Sequence, residues 1–522
     1  MSLIVTTDYS IDKIAAPNLP LAPELWDRRF QDQYSNVLRL YFNRLDAFIA
    51  QLMATSSSVP VVPGGITFPV SIGGTNVDAF GRIRVSQPYT LFDSQNRYTQ
   101  DTQYDTAVTG TGTTTYQVNQ SAVDLTVTAG GVGSVVRQTF RSFPYQPGKG
   151  LLLLATFCMD GSQSLNLTQR VGYFNTANGV FFQRIDGTNS FVLRSSVTGS
   201  VSDARTVDQS AWNGDKLDGT GASKLTLDSS KSQILWMDFE WLGVGSVRCG
   251  FIINGEYIIC HTFTNANEIT TTYMTTAILP IRYEITSTAA VAATLKQVCS
   301  SVMSEGGYDA QSANYTAART TKRSAFDSTF VPLMSIRLAT GRSGAVVLLT
   351  QAQAFPTVTQ NYEVVILKNA TLTGASWAAT VSSNVESDQT ATALTGGVVV
   401  QQEYASSTSQ SRNTARVDAG YNWDLQLGST IAGVSDVYTL AIRTLDPTPT
   451  GDAWGAISFF DLTPQYLFIA VPHDTISTLF SAAHSVRISY GNPKHEPRPS
   501  SGSDASRDAC LGRNAPRSCC CV

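Results

Sequence analysis

The residues best placed to do chemistry lie on one strand-like segment, Ile234-Leu235-Trp236-Met237-Asp238-Phe239-Glu240-Trp241-Leu242-Gly243. Asp238 and Glu240 are two residues apart, so on an extended chain they share a face with Cα atoms roughly 6.7 Å apart. Paired carboxylates at that scale are what glycoside hydrolysis uses, one as acid and one as nucleophile or base. The same alternation has a second reading, in which Asp238 and Glu240 are the solvated face of an amphipathic strand whose Leu235, Met237, Phe239 and Trp241 point inward. Trp236 and Trp241 beside Asp238 and Glu240 also make a candidate glycan-binding set. The four histidines, His261, His473, His484 and His495, have no His or Cys company at metal-ligand spacing, so neither a metal nor another cofactor is expected. Gly148-Lys149-Gly150 and Gly110-Thr111-Gly112 lack the spacing or the following helix of a phosphate cradle and read as turns.

The elements that must position these residues fall into stretches of different pattern. Residues 1–22 are an aperiodic arm with Pro17 and Pro20. Residues 23–58 hold one long helix over 23–54, opened by Pro23 and Glu24, which suit a first helical turn. Its Tyr34, Leu38, Tyr41, Leu45, Phe48 and Leu52 are spaced 4, 3, 4, 3, 4, the seam of a short coiled coil, and Val37, Phe42 and Ile49 broaden it. A stripe that wide implies either a trimer or a helix docked on its own globular domain. From there to about residue 490 the chain is rich in Ser, Thr, Gly and Val, with alternation such as Val123-Leu125-Val127 and recurring turn dipeptides. The expected fold is therefore mainly β: an N-terminal α-helix followed by β-sandwich or jelly-roll modules, the first over 59–310 and the second over 311–490. Residues 491–522 have no apolar period and read as a disordered tail.

Charged residues are 15% of the 522, against about 25% in an average soluble protein, and the formal net charge is -4. No basic field exists to gather nucleic acid. The longest apolar run, Leu151 to Cys158, is far short of the ~20 residues of a spanning helix, so no membrane insertion is expected. Nothing resembles a secretory signal, and folding in a cytoplasm is the default. Four of the eight cysteines, Cys510, Cys519, Cys520 and Cys521, crowd the C-terminus, so the core is expected to hold without disulfides. The Asn254-Gly255 turn fixes a hairpin register in which partners sum to 509: Phe251 faces Ile258, Cys249 faces Cys260 and Arg248 faces His261. Both faces of that hairpin carry apolar residues, as in the middle of a sandwich, and the two thiols are expected as buried free neighbours.

The segment around Asp238 resembles the active-site strand of laminarinase- and lichenase-type glycoside hydrolases, a jelly-roll family with a Glu-x-Asp-x-Glu pattern followed by an aromatic, Leu and Gly. Asp238, Glu240 and Leu242-Gly243 match it, but Trp236 stands where that family has its nucleophilic Glu. The resemblance therefore implies the fold and argues against the activity. A second resemblance covers about residues 30–307. The phrases NVLRLYFNRLDAF (Asn36 to Phe48), DAFGRIRVSQPYTLFDSQNRY (Asp78 to Tyr98), MDFEWLGVGSVRCGFIINGEYIICHTFTNAN (Met237 to Asn267), YMTTAILPIRYEI (Tyr273 to Ile285) and VCSSVMSEGG (Val298 to Gly307) are similar to virion structural proteins of tailed bacteriophages, of the cyanophage type. That resemblance implies a virion location and other virion proteins as partners. Together these readings lead to a non-enzymatic, homotrimeric fibre or appendage subunit of tail or neck, self-associating through the helix stripe, with a host-surface glycan as a further partner. The alternatives are a capsid decoration protein, a carbohydrate-binding module and a glycoside hydrolase.

Overall fold

In a computed structural model of the chain, the described residues are the helix 28–55 and residues 88–309, 312, 314–407, 415–418, 423–446 and 450–463. The expected arm over 1–22 and tail over 491–522 lie outside them. The protein is mainly β, an N-terminal helix followed by β-sandwich modules. The helix spans Arg28–Thr55. Tyr34, Leu38, Tyr41 and Leu45 are half-exposed on it, and Leu40 and Phe42 are 52% and 55% exposed. The side chains of Phe48 and Leu52 lie outside the described residues. None of the described helix side chains joins the apolar core of either sandwich.

The first sandwich is two antiparallel sheets. One is eight-stranded and runs, in spatial order, Glu256–Phe263, Val247–Ile253, Gln233–Phe239, Gly150–Cys158, Ala293–Glu305, Ala122–Val127 and Thr113–Gln117, with Tyr89–Gln95 paired to the far half of Ala293–Glu305. The other is seven-stranded: Ser202–Asp208, Thr188–Ser195, Gly179–Ile185, Leu167–Phe174, Ile281–Ser287, Gly133–Thr139 and Tyr104–Gly110. Alternation decides what lies between them. Val123, Leu125 and Val127 from the first sheet and Val171, Tyr173, Phe182 and Ile285 from the second all enter one core, away from water. Asp186-Gly187 and Asn254-Gly255 take positive φ at both positions (49° and 86°; 54° and 82°), which is what two-residue hairpin turns require.

The Asn254-Gly255 hairpin keeps its dictated register only as far as Gly250, which opposes Ile259. Beyond it Cys249 faces His261 and Arg248 faces Thr262, so the expected Cys249–Cys260 and Arg248–His261 pairs do not form. Cys260 is an extra residue on its strand, a β-bulge. Gly250 permits it: a Cβ there would lie 1.8 Å from the Ile258 carbonyl oxygen and 2.8 Å from Trp236 Nε1. Both thiols are free and buried. The other face is less covered than expected, with Ile252, Tyr257 and Ile259 half-exposed, because the hairpin ends the sheet instead of lying in its middle. That sheet edge is partly closed by a loop, whose Gly214 and Asp215 N–H groups donate to the carbonyls of Cys260 and Ile259, each at 2.9 Å.

The second sandwich packs a five-stranded sheet (Asn314–Ala318, Gly451–Asp461, Val347–Pro356, Ala415–Asp418, with Arg323–Phe326 also on Gly451–Asp461) against a six-stranded one (Ala378–Ala379, Val385–Asp388, Val331–Leu338, Val437–Thr444, Gln360–Lys368, Val398–Ser407). Leu349, Ile457 and Phe459 meet Val364, Leu440 and Ile442 in its core. A segment of this sandwich, Trp423 to Ile431, lies against the first. The Trp423 indole donates to Tyr89 Oη at 2.8 Å, Gln426 Nε2 to the Ser142 carbonyl at 2.9 Å and Ile431 N–H to Asp105 Oδ2 at 2.7 Å. Arg141 is the hub: it donates to the Trp423 carbonyl at 2.5 Å and to Gln103 Oε1, pairs with Asp424 at 3.7 Å, and lies 5.4 Å over the Phe92 ring.

Replacing Arg141 with Met removes the donor to Gln103 Oε1 and one of two donors to the Trp423 carbonyl, which also accepts the Gln426 N–H at 3.1 Å, and leaving a half-buried acceptor unpaired costs about 1 kcal/mol. Thermal unfolding of Arg141→Met is expected to start earlier, its midpoint falling by about 2–4 °C per kcal/mol. An unchanged midpoint in calorimetry refutes the hub role.

Candidate functional site

Strand Gln233–Phe239 is third in the eight-stranded sheet, between Val247–Ile253 and Gly150–Cys158. Its Leu235, Met237 and Phe239 enter the core, as alternation requires, and Trp241 packs half-buried against the same core while its indole donates to the Met274 carbonyl at 3.3 Å. Trp236, Asp238 and Glu240 take the opposite parity. They are not a solvated face: Trp236 is 0% exposed, Asp238 1% and Glu240 1%. An inner strand is flanked on both sides, here by Leu152 and Leu154 on one neighbour and Arg248 and Gly250 on the other.

Asp238 stands opposite Arg248 in the register. The Arg248 Nε donates to Oδ1 at 2.8 Å and Nη2 donates to Oδ2, a two-pronged pair that satisfies a carboxylate out of water. Trp236 occupies the space left by Gly250, donates to the Ile258 carbonyl at 3.2 Å and sets its ring edge-on to Tyr257 at 5.5 Å. Glu240 lies just past the strand end near Tyr145, whose phenol is pushed up to about 12, by burial first and by the Glu240 charge second. Tyr145 in turn packs on Phe239 and Trp241, each at 6.3 Å between centroids.

Three of the four candidate residues, Trp236, Asp238 and Glu240, thus share a face as a wall, while Trp241 lies on the core side. An acid, base or nucleophile must touch substrate, and Asp238 touches Arg248 instead. A sugar ring has no access to the faces of Trp236, Asp238 or Glu240 in this conformation. Sequence reasoning missed Arg248 as the partner. The signal was the Leu242-Gly243-Val244-Gly245 turn, where Leu242 and Gly243 have φ of 31° and 80°: a hairpin connection there folds Val247–Ile253 back beside Gln233–Phe239, and the structure sets Arg248 opposite Asp238.

His261, next to the bulge, is buried, and burial first with the Arg205 charge second pulls its pKa down to about 4. Its Nδ1 accepts the Asn213 N–H at 3.3 Å, which holds the neutral ring, and the ring meets Phe263 edge-on at 4.5 Å. Among the described residues no group of three or more His, Cys, Asp or Glu side chains is arranged to hold a metal ion. His473, His484 and His495 lie outside the described residues.

Neither a comparison with protein-family profiles nor one with curated proteins finds a match. Among solved structures the chain is similar in part to a protein of unknown function from Shewanella oneidensis MR-1, at 10% identity over 48% of this chain and 100% of that one, TM-score 0.27. It is similar to the Emp47p carbohydrate recognition domain at 8% identity over 42% and 98%, TM-score 0.28. It is similar to peanut lectin at 10% identity over 42% and 98%, TM-score 0.25. At TM-scores of this size these likenesses carry no weight for ligand or activity.

Asp238→Asn takes the two-pronged carboxylate away from the buried Arg248 guanidinium, and breaking such a pair costs about 3–5 kcal/mol. Denaturant titration is expected to show that loss; a change under 1 kcal/mol means the pair is not buried as described. Above pH 6.5 His261 is neutral in folded and unfolded chains alike. Between 6.5 and about 4 only the unfolded chain takes up its proton, so stability falls as pH falls through that window. His261→Gln is expected to flatten that part of the stability profile.

Proposed function

We propose that the chain is a non-catalytic recognition and display subunit of a virion appendage: copies assemble through the N-terminal helix, and the fused sandwiches are presented outward to bind glycan. The observation that carries this reading is the contrast in exposed apolar surface. Both sandwiches close their cores, whereas the helix keeps Tyr34, Leu38, Tyr41 and Leu45 half-exposed, with Phe42 exposed beside them. A stripe of that width at coiled-coil spacing needs partner helices, and three of them bury it better than two. The residue phrases shared with tailed-phage virion proteins support the same placement. The non-catalytic part of the reading rests on the commitment of Asp238 to Arg248 and on Trp236 standing where a nucleophile belongs. A low charge density suits a surface that recognises neutral, hydroxyl-rich ligands through many hydrogen bonds and aromatic contacts.

Sedimentation equilibrium of the full chain is expected to return a trimer, and the double variant Leu38→Asp, Leu45→Asp a monomer whose sandwiches melt at the unchanged temperature. A parent protein that stays monomeric at high concentration overturns the assembly reading. Incubation with soluble polysaccharides is expected to release no reducing ends, and mass spectrometry of purified particles to find the chain.

A further inference from the structure

The outer face of the five-stranded sheet in the second sandwich carries two aromatic side chains side by side. Phe355 and Trp454 are direct cross-strand partners, and they stay 36% and 39% exposed. Their inward-facing neighbours Ala354 and Ala453 belong to the core, so the parity of both strands holds the rings outside. The next rung pairs Gln353 with Ala456, and Ala318 lies opposite Ala456 on the far strand. These two alanines and Gly455 leave a shallow cleft of about 180 Å³ in front of the rings, with Gln353 and Arg319 at its rim.

The cleft has a chemistry. Aromatic planes beside a small-residue floor accept the C–H face of a ring, and the amide of Gln353 offers a donor and an acceptor at its edge. Charge is taken up locally. Arg319 donates to the Thr321 and Leu333 carbonyls at 2.9 and 2.6 Å, and Asp452, two residues before Trp454, pairs with Lys322 at 2.6 Å. Further along the same face Thr316 is exposed and Gln351 half-exposed, and the Thr316 hydroxyl is bonded at 2.9 Å to the buried Ser458. An aromatic step leading onto a neutral polar strip matches an uncharged oligosaccharide, with one ring stacked and the following hydroxyls hydrogen-bonded.

We infer that Phe355 and Trp454 form a stacking platform for a neutral, pyranose-based glycan on the second sandwich. This assigns a site to the glycan recognition proposed above and rests on that reading. The test is a glycan array of neutral and acidic oligosaccharides probed with the full chain, followed by titration calorimetry with the neutral hexose oligomer that gives the strongest signal. Trp454→Ala and Phe355→Ala are each expected to weaken binding about tenfold or more, the size of a lost aromatic contact. Trp454→Phe is expected to retain most of the affinity. Because both side chains are on the surface, circular dichroism and the melting midpoint should not change, which separates loss of binding from loss of fold. Undiminished binding by both alanine variants overturns this site while leaving glycan recognition standing. Binding confined to acidic glycans overturns the neutral ligand class. No binding by the parent chain anywhere on the array overturns the recognition reading and this site together.

Discussion

The Arg141 guanidinium is the most connected of the directional contacts that hold the two sandwiches in register with one another. Arg141 belongs to the first, yet its hydrogen bonds reach Trp423 of the second as well as Gln103 of its own. Burial pulls its pKa down from the ordinary arginine value and the Asp424 carboxylate opposes that pull, but arginine is basic enough to stay charged. The planar fork is what makes this possible, since it offers several donors in fixed directions from one side chain. Around it the Trp423 indole, packed edge-on to Tyr308 at 5.1 Å, and the backbone bond from Ser429 N–H to the Phe140 carbonyl complete a junction made of directional contacts. A junction of that kind fixes an angle, where a purely apolar contact would leave room to slide. The proposed display would depend on it, because a surface on the second sandwich would face a ligand only if the first sandwich oriented it.

The same rule, that charge out of water must be matched, governs the strand that most resembles an active site. Its carboxylate alternation looks like catalysis on paper. In the sheet, that alternation aims Asp238 at Arg248, and the bulge at Cys260 with the bare backbone at Gly250 admits the Trp236 indole alongside. Each step is local: without the glycine the tryptophan has no room, and without the arginine the aspartate has no counter-charge. The strand keeps the outline of a glycosidase motif while its side chains are spent on closing one face of the sheet.

These contrasts show what could be read from residues alone. The helix, the mainly β character and the Asn254-Gly255 turn were legible because each is specified within a few residues of itself. The hairpin register failed at Gly250, since a bulge is decided by a contact from Trp236 on a different strand. The burial of Asp238 and Glu240 was illegible for a related reason: alternation says which residues share a face and never says whether that face is covered. The aromatic pair at Phe355 and Trp454 is separated by 99 positions and becomes a pair only through sheet order.

Where apolar surface remains open is therefore the most informative property of the fold. A β-sandwich that has closed its core has no thermodynamic need of a partner, so rings left partly outside on an otherwise small and polar face are open to contact. The helix presents the opposite case. Its half-exposed Tyr34, Leu38, Tyr41 and Leu45 form a continuous stripe, and a stripe has the geometry of another helix, whereas two adjacent rings over a cleft have the geometry of a small ring. Among the described residues the helix stripe and the ring pair are thus open apolar surfaces of different shape on elements far apart in sequence, one assigned by the proposal to copies of the chain and the other to a ligand. In the proposed assembly the two would reinforce each other, because three weak ring-sized sites carried on one stalk would bind a repeating glycan far more tightly than one. On that reading a shallow platform on a single chain would gain its use from the helix that gathers the chains.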